Sequence, residues 1–88
     1  MEKIEDKVVV KNPHGLHARP AAVFVQIANK FDSAVWLEKD GEVMDGKSII
    51  GILSLGVNSG MFLNLVVEGP DCEEAFRELK AFLESGHD

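Results

Sequence analysis

The chain has 88 residues, enough for one domain that buries roughly 60–65% of its unfolded surface and too few for two. Lys and Arg number 9 against 15 for Asp and Glu, a net charge of −6 that disfavours nucleic acid and anionic membranes as partners. An apolar fraction of 45% argues against disorder, no stretch nears the ~20 apolar residues of a membrane span, and a single cysteine, Cys72, cannot form an internal disulfide.

The opening Met1-Glu2-Lys3-Ile4-Glu5-Asp6-Lys7 is charged, with no apolar segment of the kind that marks a secretory leader, so a cytoplasmic protein is expected. The β-branched run Val8-Val9-Val10 predicts a short strand, ended by the loop-forming Asn12-Pro13 and Gly15. From about Ala18 to Lys30 the spacing predicts a helix, with Ala21, Val25 and Ala28 on one stripe and Phe24, Ile27 and Phe31 beside it. Pro20 falls in its first turn, where a missing N–H costs nothing.

Ala34–Lys39 reads as a strand, Asp40-Gly41 as a hairpin turn, and Glu42–Asp45 as the returning strand. Ser48 is a good N-cap for a short apolar helix over Ile49–Leu55, closed near Gly56. Met61–Glu68 reads as a strand bounded by Gly60 and Gly69-Pro70. Asp71 is then expected to cap a last helix carrying Ala75, Leu79, Phe82 and Leu83, ending at Ser85-Gly86, with His87 in a solvated tail. The order βαββαβα predicts an α+β domain over residues 1–88, with helices on one face of a four-stranded, at least partly antiparallel sheet.

His17 stands where the helix from Ala18 begins. The unpaired N–H groups of a first helical turn and the positive end of the helix dipole favour an anion there. A neutral imidazole keeps a lone pair that can attack phosphorus, and the Arg19 guanidinium can then hold phosphoryl oxygens in a fork. A helix-capping histidine with no chemistry satisfies the same local pattern.

The whole string Gly15-Leu16-His17-Ala18-Arg19-Pro20-Ala21-Ala22 resembles the active-site signature of HPr, the histidine-containing phosphocarrier family of the bacterial sugar phosphotransferase system. Lys47-Ser48-Ile49-Ile50-Gly51-Ile52-Leu53-Ser54-Leu55-Gly56 looks like the second signature of that family, around a regulatory serine. The resemblance implies an open-faced β-sandwich of four antiparallel strands with three helices on one side. It implies that His17 is phosphorylated at Nδ1 by enzyme I, with Arg19, Pro20 and the amides from Ala18 onward forming the phosphate site. The group then passes to the A domain of a sugar permease. A monomeric carrier is implied, a covalent intermediate in a transferase chain rather than a stand-alone enzyme, with no cofactor and no metal.

In the Gram-positive branch of the family the serine matching Ser48 is phosphorylated by the ATP-dependent HPr kinase/phosphorylase. On a short helix Ile52 and Leu55 are expected to enter the core. Ile49, Ile50 and Leu53 then share an exposed apolar patch for docking enzyme I, together with Phe24 and Lys47. Lysines that many members carry are replaced by Gln26, Asn29 and Gly51, and the loop Gly56-Val57-Asn58-Ser59-Gly60 has none. That leaves two functional readings. One is a sugar phosphocarrier; the other is a mainly regulatory protein, either a Ser48-phosphorylated corepressor for a transcription regulator or a nitrogen-type branch. His14 and His17 form an H-x-x-H pair, but no cysteine or third histidine is near in sequence, so a metal site is not expected. His14 reads instead as a loop residue that feels the phosphate and titrates with it.

Overall fold

Residues 2–86 are described by a computed structural model; His87, expected in a solvated tail, lies outside them. The described residues form β1 (Lys3–Val9), α1 (Ala18–Ala28), β2 (Ala34–Lys39), β3 (Glu42–Asp45), α2 (Ile49–Ser54), β4 (Phe62–Glu68) and α3 (Cys72–Glu84). The strands make one fully antiparallel sheet in the order β1-β4-β2-β3. Helix α3 lies against β1 and β4, and α1 packs on α2 and α3.

Period-2 alternation decides which sheet face is covered. Leu63, Leu65 and Val67 of β4, Val35 and Leu37 of β2 and Val8 of β1 point into the core. There they meet Ala21, Phe24 and Ala28 of α1, Ile52 of α2, and Ala75, Phe76, Leu79 and Leu83 of α3. Among the described residues no helix covers the opposite face, which shows Phe62, Asn64, Val66, Trp36 and Val43. Asp40 and Gly41 both have positive φ, 52° and 84°, the conformation of a type I′ turn between β2 and β3.

Four expectations change. Strand β1 is seven residues long and begins at Lys3, not Val8. Its charged residues hide the strand period, but Lys3 lies opposite Glu68 and Lys7 opposite Asn64, so pairing with β4 carries the strand into them. Charges on such an edge also discourage further pairing. Helix α1 ends at Ala28, two residues early, because the N–H groups of Lys30 and Phe31 turn back to Ile27 and Ala28 at 3.1 and 3.2 Å in a tightened last turn. Phe24, expected at a partner surface, has no exposed surface. It sits on the sheet-facing stripe of α1, so close to Gly46 that a Cβ there would lie 3.2 Å from the ring.

The fourth change concerns Asp71. It occupies the N-cap position of α3, but its carboxylate makes no cap hydrogen bond. It instead accepts from the Ser33 hydroxyl at 2.5 Å and from the Asp32 and Ser33 backbone N–H groups at 2.9 and 3.0 Å, clasping the α1–β2 loop. These bonds, the Ser33 hydroxyl first and then the Asp32 amide, favour the ionised form and hold its pKa below the ordinary 3.8. A depressed carboxyl pKa gives stability that is present above the unfolded value and lost as pH falls through the folded one. Asp71→Ala is therefore expected to lower Tm at neutral pH, with the gap to wild type closing in acid, as thermal unfolding followed by circular dichroism at both pH values will show.

Candidate functional site

The segment joining β1 to α1 is held at both ends before it presents a histidine. Val10 N–H donates to the Met61 carbonyl at 2.9 Å and Val10 C=O accepts from Gly60 at 2.7 Å, while Lys11 N–H reaches Leu83 at the end of α3 at 2.8 Å. Gly15 N–H closes a turn on the Asn12 carbonyl at 2.9 Å, and Leu16 N–H donates to the Val57 carbonyl at 2.9 Å. Leu16 itself is buried. Gly15 has φ +74°, and a Cβ there would sit 2.7 Å from Asn58 Cα and inside contact distance of the Val57 carbonyl oxygen. Only glycine fits this approach of two backbones.

His17 follows as the N-cap of α1, exposed, with extended backbone (φ −86°, ψ −168°) and no side-chain cap bond. Its carbonyl accepts the first intrahelical bond, from Ala21 N–H at 2.9 Å. The amides of Ala18 and Arg19 precede that bond, and Pro20, buried in the third helical position, has none to offer. Arg19 is exposed on the same turn, and the His14 and His17 rings lie edge to face with centroids 5.7 Å apart. This arrangement can hold an anion against the imidazole with amides, a helix dipole and a guanidinium.

Ser48 caps α2 as expected: its Oγ accepts from Gly51 N–H at 3.1 Å and its carbonyl from Ile52 N–H at 3.0 Å. At the other end of α2 the Lys39 ammonium donates to the Leu55 carbonyl, a cation placed where the dipole favours one. Ile52 and Leu55 are buried, whereas Ile49, Ile50 and Leu53 are 41%, 80% and 40% exposed, so the helix does divide its apolar residues between core and surface. Beside that patch the half-buried Lys47 ammonium donates to the Phe31 carbonyl at 2.8 Å, just beyond the end of α1. The Gly15 contact and the engagement of Lys47 depend on loops distant in sequence; a glycine directly before Leu16-His17 was the one visible signal.

A sheet covered on one face only, with a histidine heading the first helix and a capping serine heading the second, defines a class of small open-faced sandwich proteins with two candidate phosphate sites. The family model described as "PTS HPr component phosphorylation site" matches residues 4–85, and the chain belongs to the HPr family of phosphocarriers. It is 49% identical over 81 residues to the HPr-like protein Crh of Halalkalibacterium halodurans, covering 92% of this chain and 96% of that one. The fold is similar to the phosphocarrier protein HPr of Bacillus anthracis, with a TM-score of 0.91 and 42% identity over 96% of this chain and 100% of the other. It is also similar to the Crh protein of Bacillus subtilis, whose structure is described as a swapped dimer (TM-score 0.79, 45% identity, covering 97% and 98%). Among the described residues no helix is long and apolar enough to cross a membrane.

Proposed function

We propose that this chain accepts a phosphoryl group on His17 from phospho-enzyme I and passes it to the A domain of a sugar permease or to a regulatory acceptor in the cytoplasm. The observation that carries this reading is the exposed imidazole at the N-cap of α1, on a loop anchored to both the α2–β4 connection and the end of α3. In the transfer a ring nitrogen attacks phosphorus; the P–N bond to His17 forms as the bond from phosphorus to the donor breaks. The Ala18 and Arg19 amides and the Arg19 guanidinium take up the charge of the phosphoryl oxygens, and the reverse sequence delivers the group onward. Catalysis here is placement, and the tethered loop supplies it. The working form is a monomer, in which β1 pairs with its own β4. Incubation with phosphoenolpyruvate and enzyme I, followed by mass spectrometry, tests the reading: an acid-labile phosphoryl adduct on the peptide holding His17 supports it, and none refutes it.

A regulatory reading stands beside this one because relatives named Crh are similar to the chain. In it, HPr kinase/phosphorylase transfers a phosphoryl group from ATP to the Ser48 hydroxyl, and the phosphorylated chain serves as corepressor for a transcription regulator. The two readings join at α2. A phosphate on Ser48 sits at a helix N-terminus that tolerates charge, so the fold survives, but a dianion arrives beside Ile49, Ile50 and Leu53. If enzyme I docks on that patch, the charge opposes docking by repulsion and desolvation. Ser48→Asp is expected to slow phosphorylation by enzyme I about tenfold, the rate equivalent of about 1.4 kcal/mol. Ser48→Ala, by contrast, should lose about 1 kcal/mol of stability with its cap while keeping the rate. A wild-type rate in the aspartate variant sinks the regulatory link without touching His17.

A further inference from the structure

His14 is exposed and its ring meets that of the proposed acceptor edge to face, at 5.7 Å and an interplanar angle of 66°. The backbone fixes this encounter. His14 is the third residue of the turn that the Gly15 N–H closes on the Asn12 carbonyl, and the next residue, Gly15, is pressed onto Val57 and Asn58. The surroundings are short of other cations. Lys30 pairs with Glu78, Lys39 donates to Leu55 and Lys47 to Phe31, each committed elsewhere. The Val57–Gly60 stretch packed against this loop has no ionisable side chain. Of the remaining charged groups on the elements that hold the loop, Lys11 opens it, Arg19 heads α1, and Glu84 near the end of α3 accepts from Val9 N–H at 3.2 Å.

We infer that His14 is a titrating positioning residue for phosphorylated His17. Placing a dianion on the neighbouring ring draws a solvent proton onto His14, and the resulting imidazolium holds the phosphoryl group as a second cation beside Arg19. When the group leaves, the proton returns to solvent. The inference rests on His17 being the acceptor, and it gives this chain a pH-dependent grip that Lys30, Lys39 and Lys47, engaged elsewhere, do not provide.

The test uses the full chain, free and phosphorylated by enzyme I with phosphoenolpyruvate, with His14 followed by NMR through a pH titration. A dianion on the neighbouring ring favours the imidazolium, so the His14 resonances are expected to titrate at higher pH in the phosphorylated chain than in the free one. In His14→Gln the hydrolysis rate of the phosphohistidine loses the pH step centred on that raised value, a change that a merely structural role for His14 would not produce. An unmoved His14 titration in protein whose phosphorus spectrum shows phosphohistidine overturns the inference alone. Absence of any phosphohistidine signal overturns both the acceptor assignment and what is built on it.

Discussion

His17→Ala is expected to abolish acceptance of the phosphoryl group from enzyme I, reducing it about a thousandfold or more, to background. The loss belongs to chemistry rather than to folding. The side chain is exposed and makes no cap bond to the helix, so stability should stay within about 0.5 kcal/mol of wild type, and the circular dichroism melt should be nearly superimposable. The variant also separates the two histidines of the loop. His14 keeps its place when His17 is removed, because the turn at Asn12–Gly15 and the Leu16–Val57 bond do not involve the His17 ring. An acid-labile adduct persisting in His17→Ala would move the acceptor to another side chain and overturn the assignment. An ATP-dependent, acid-stable adduct at Ser48 should form in this variant as in wild type, since α2 and its cap are untouched.

Gly15→Ala is the second large effect, and it strikes stability and transfer together. A left-handed backbone costs a non-glycine residue about 1 kcal/mol or more. At Gly15 the added Cβ also collides with the backbone of Val57 and Asn58, which cannot rotate out of the way as a side-chain tip can. The sum is about 3 kcal/mol or more, a large share of the 5–15 kcal/mol typical of a domain. For a chain of this size that corresponds to a fall in Tm of about 10 °C or more. Gly41→Ala provides the internal control: its φ is +84°, but no atom lies within 4 Å of the new Cβ. Its loss should be confined to the conformational part, about 1 kcal/mol. The difference between the two variants measures the collision. Relief of that collision requires the loop to lift from Val57, and with it the Leu16 anchor, so the fraction of Gly15→Ala that remains folded should also accept phosphate slowly. A Tm equal to that of Gly41→Ala would mean that the two loops are not in register as described.

How much was legible beforehand varied with the reach of the interaction involved. Helix α3 carries its apolar residues at helical spacing, and the Asp40-Gly41 turn needs nothing beyond two residues that tolerate positive φ, so both were readable from local chemistry. Ser48 was readable as a cap for the same reason: the bond it makes is to Gly51, three residues on. Asp71 misled because its residue type and position suit a cap, while a loop 38 residues away offered its carboxylate three donors instead. The bond from Lys47 to the Phe31 carbonyl was hidden for the same reason, since it reaches a loop 16 residues away. Strand β1 was undercounted because mixed charge masks alternation along an edge.

For the site itself, the sequence alone picked out the proposed acceptor and its immediate equipment: a histidine at a helix start, an arginine two residues on, and a proline with no N–H to place. These are matters of local geometry and residue type. Tertiary structure decided what holds the histidine in place and what stands beside it. The Val57 carbonyl, the Leu83 carbonyl and the Asn58 backbone reach the loop only once β1 pairs with β4 and α3 folds over the sheet. The division follows from range: capping and helix dipoles act within a turn of the chain, whereas a close approach of two backbones exists only when the whole sheet has set their distance.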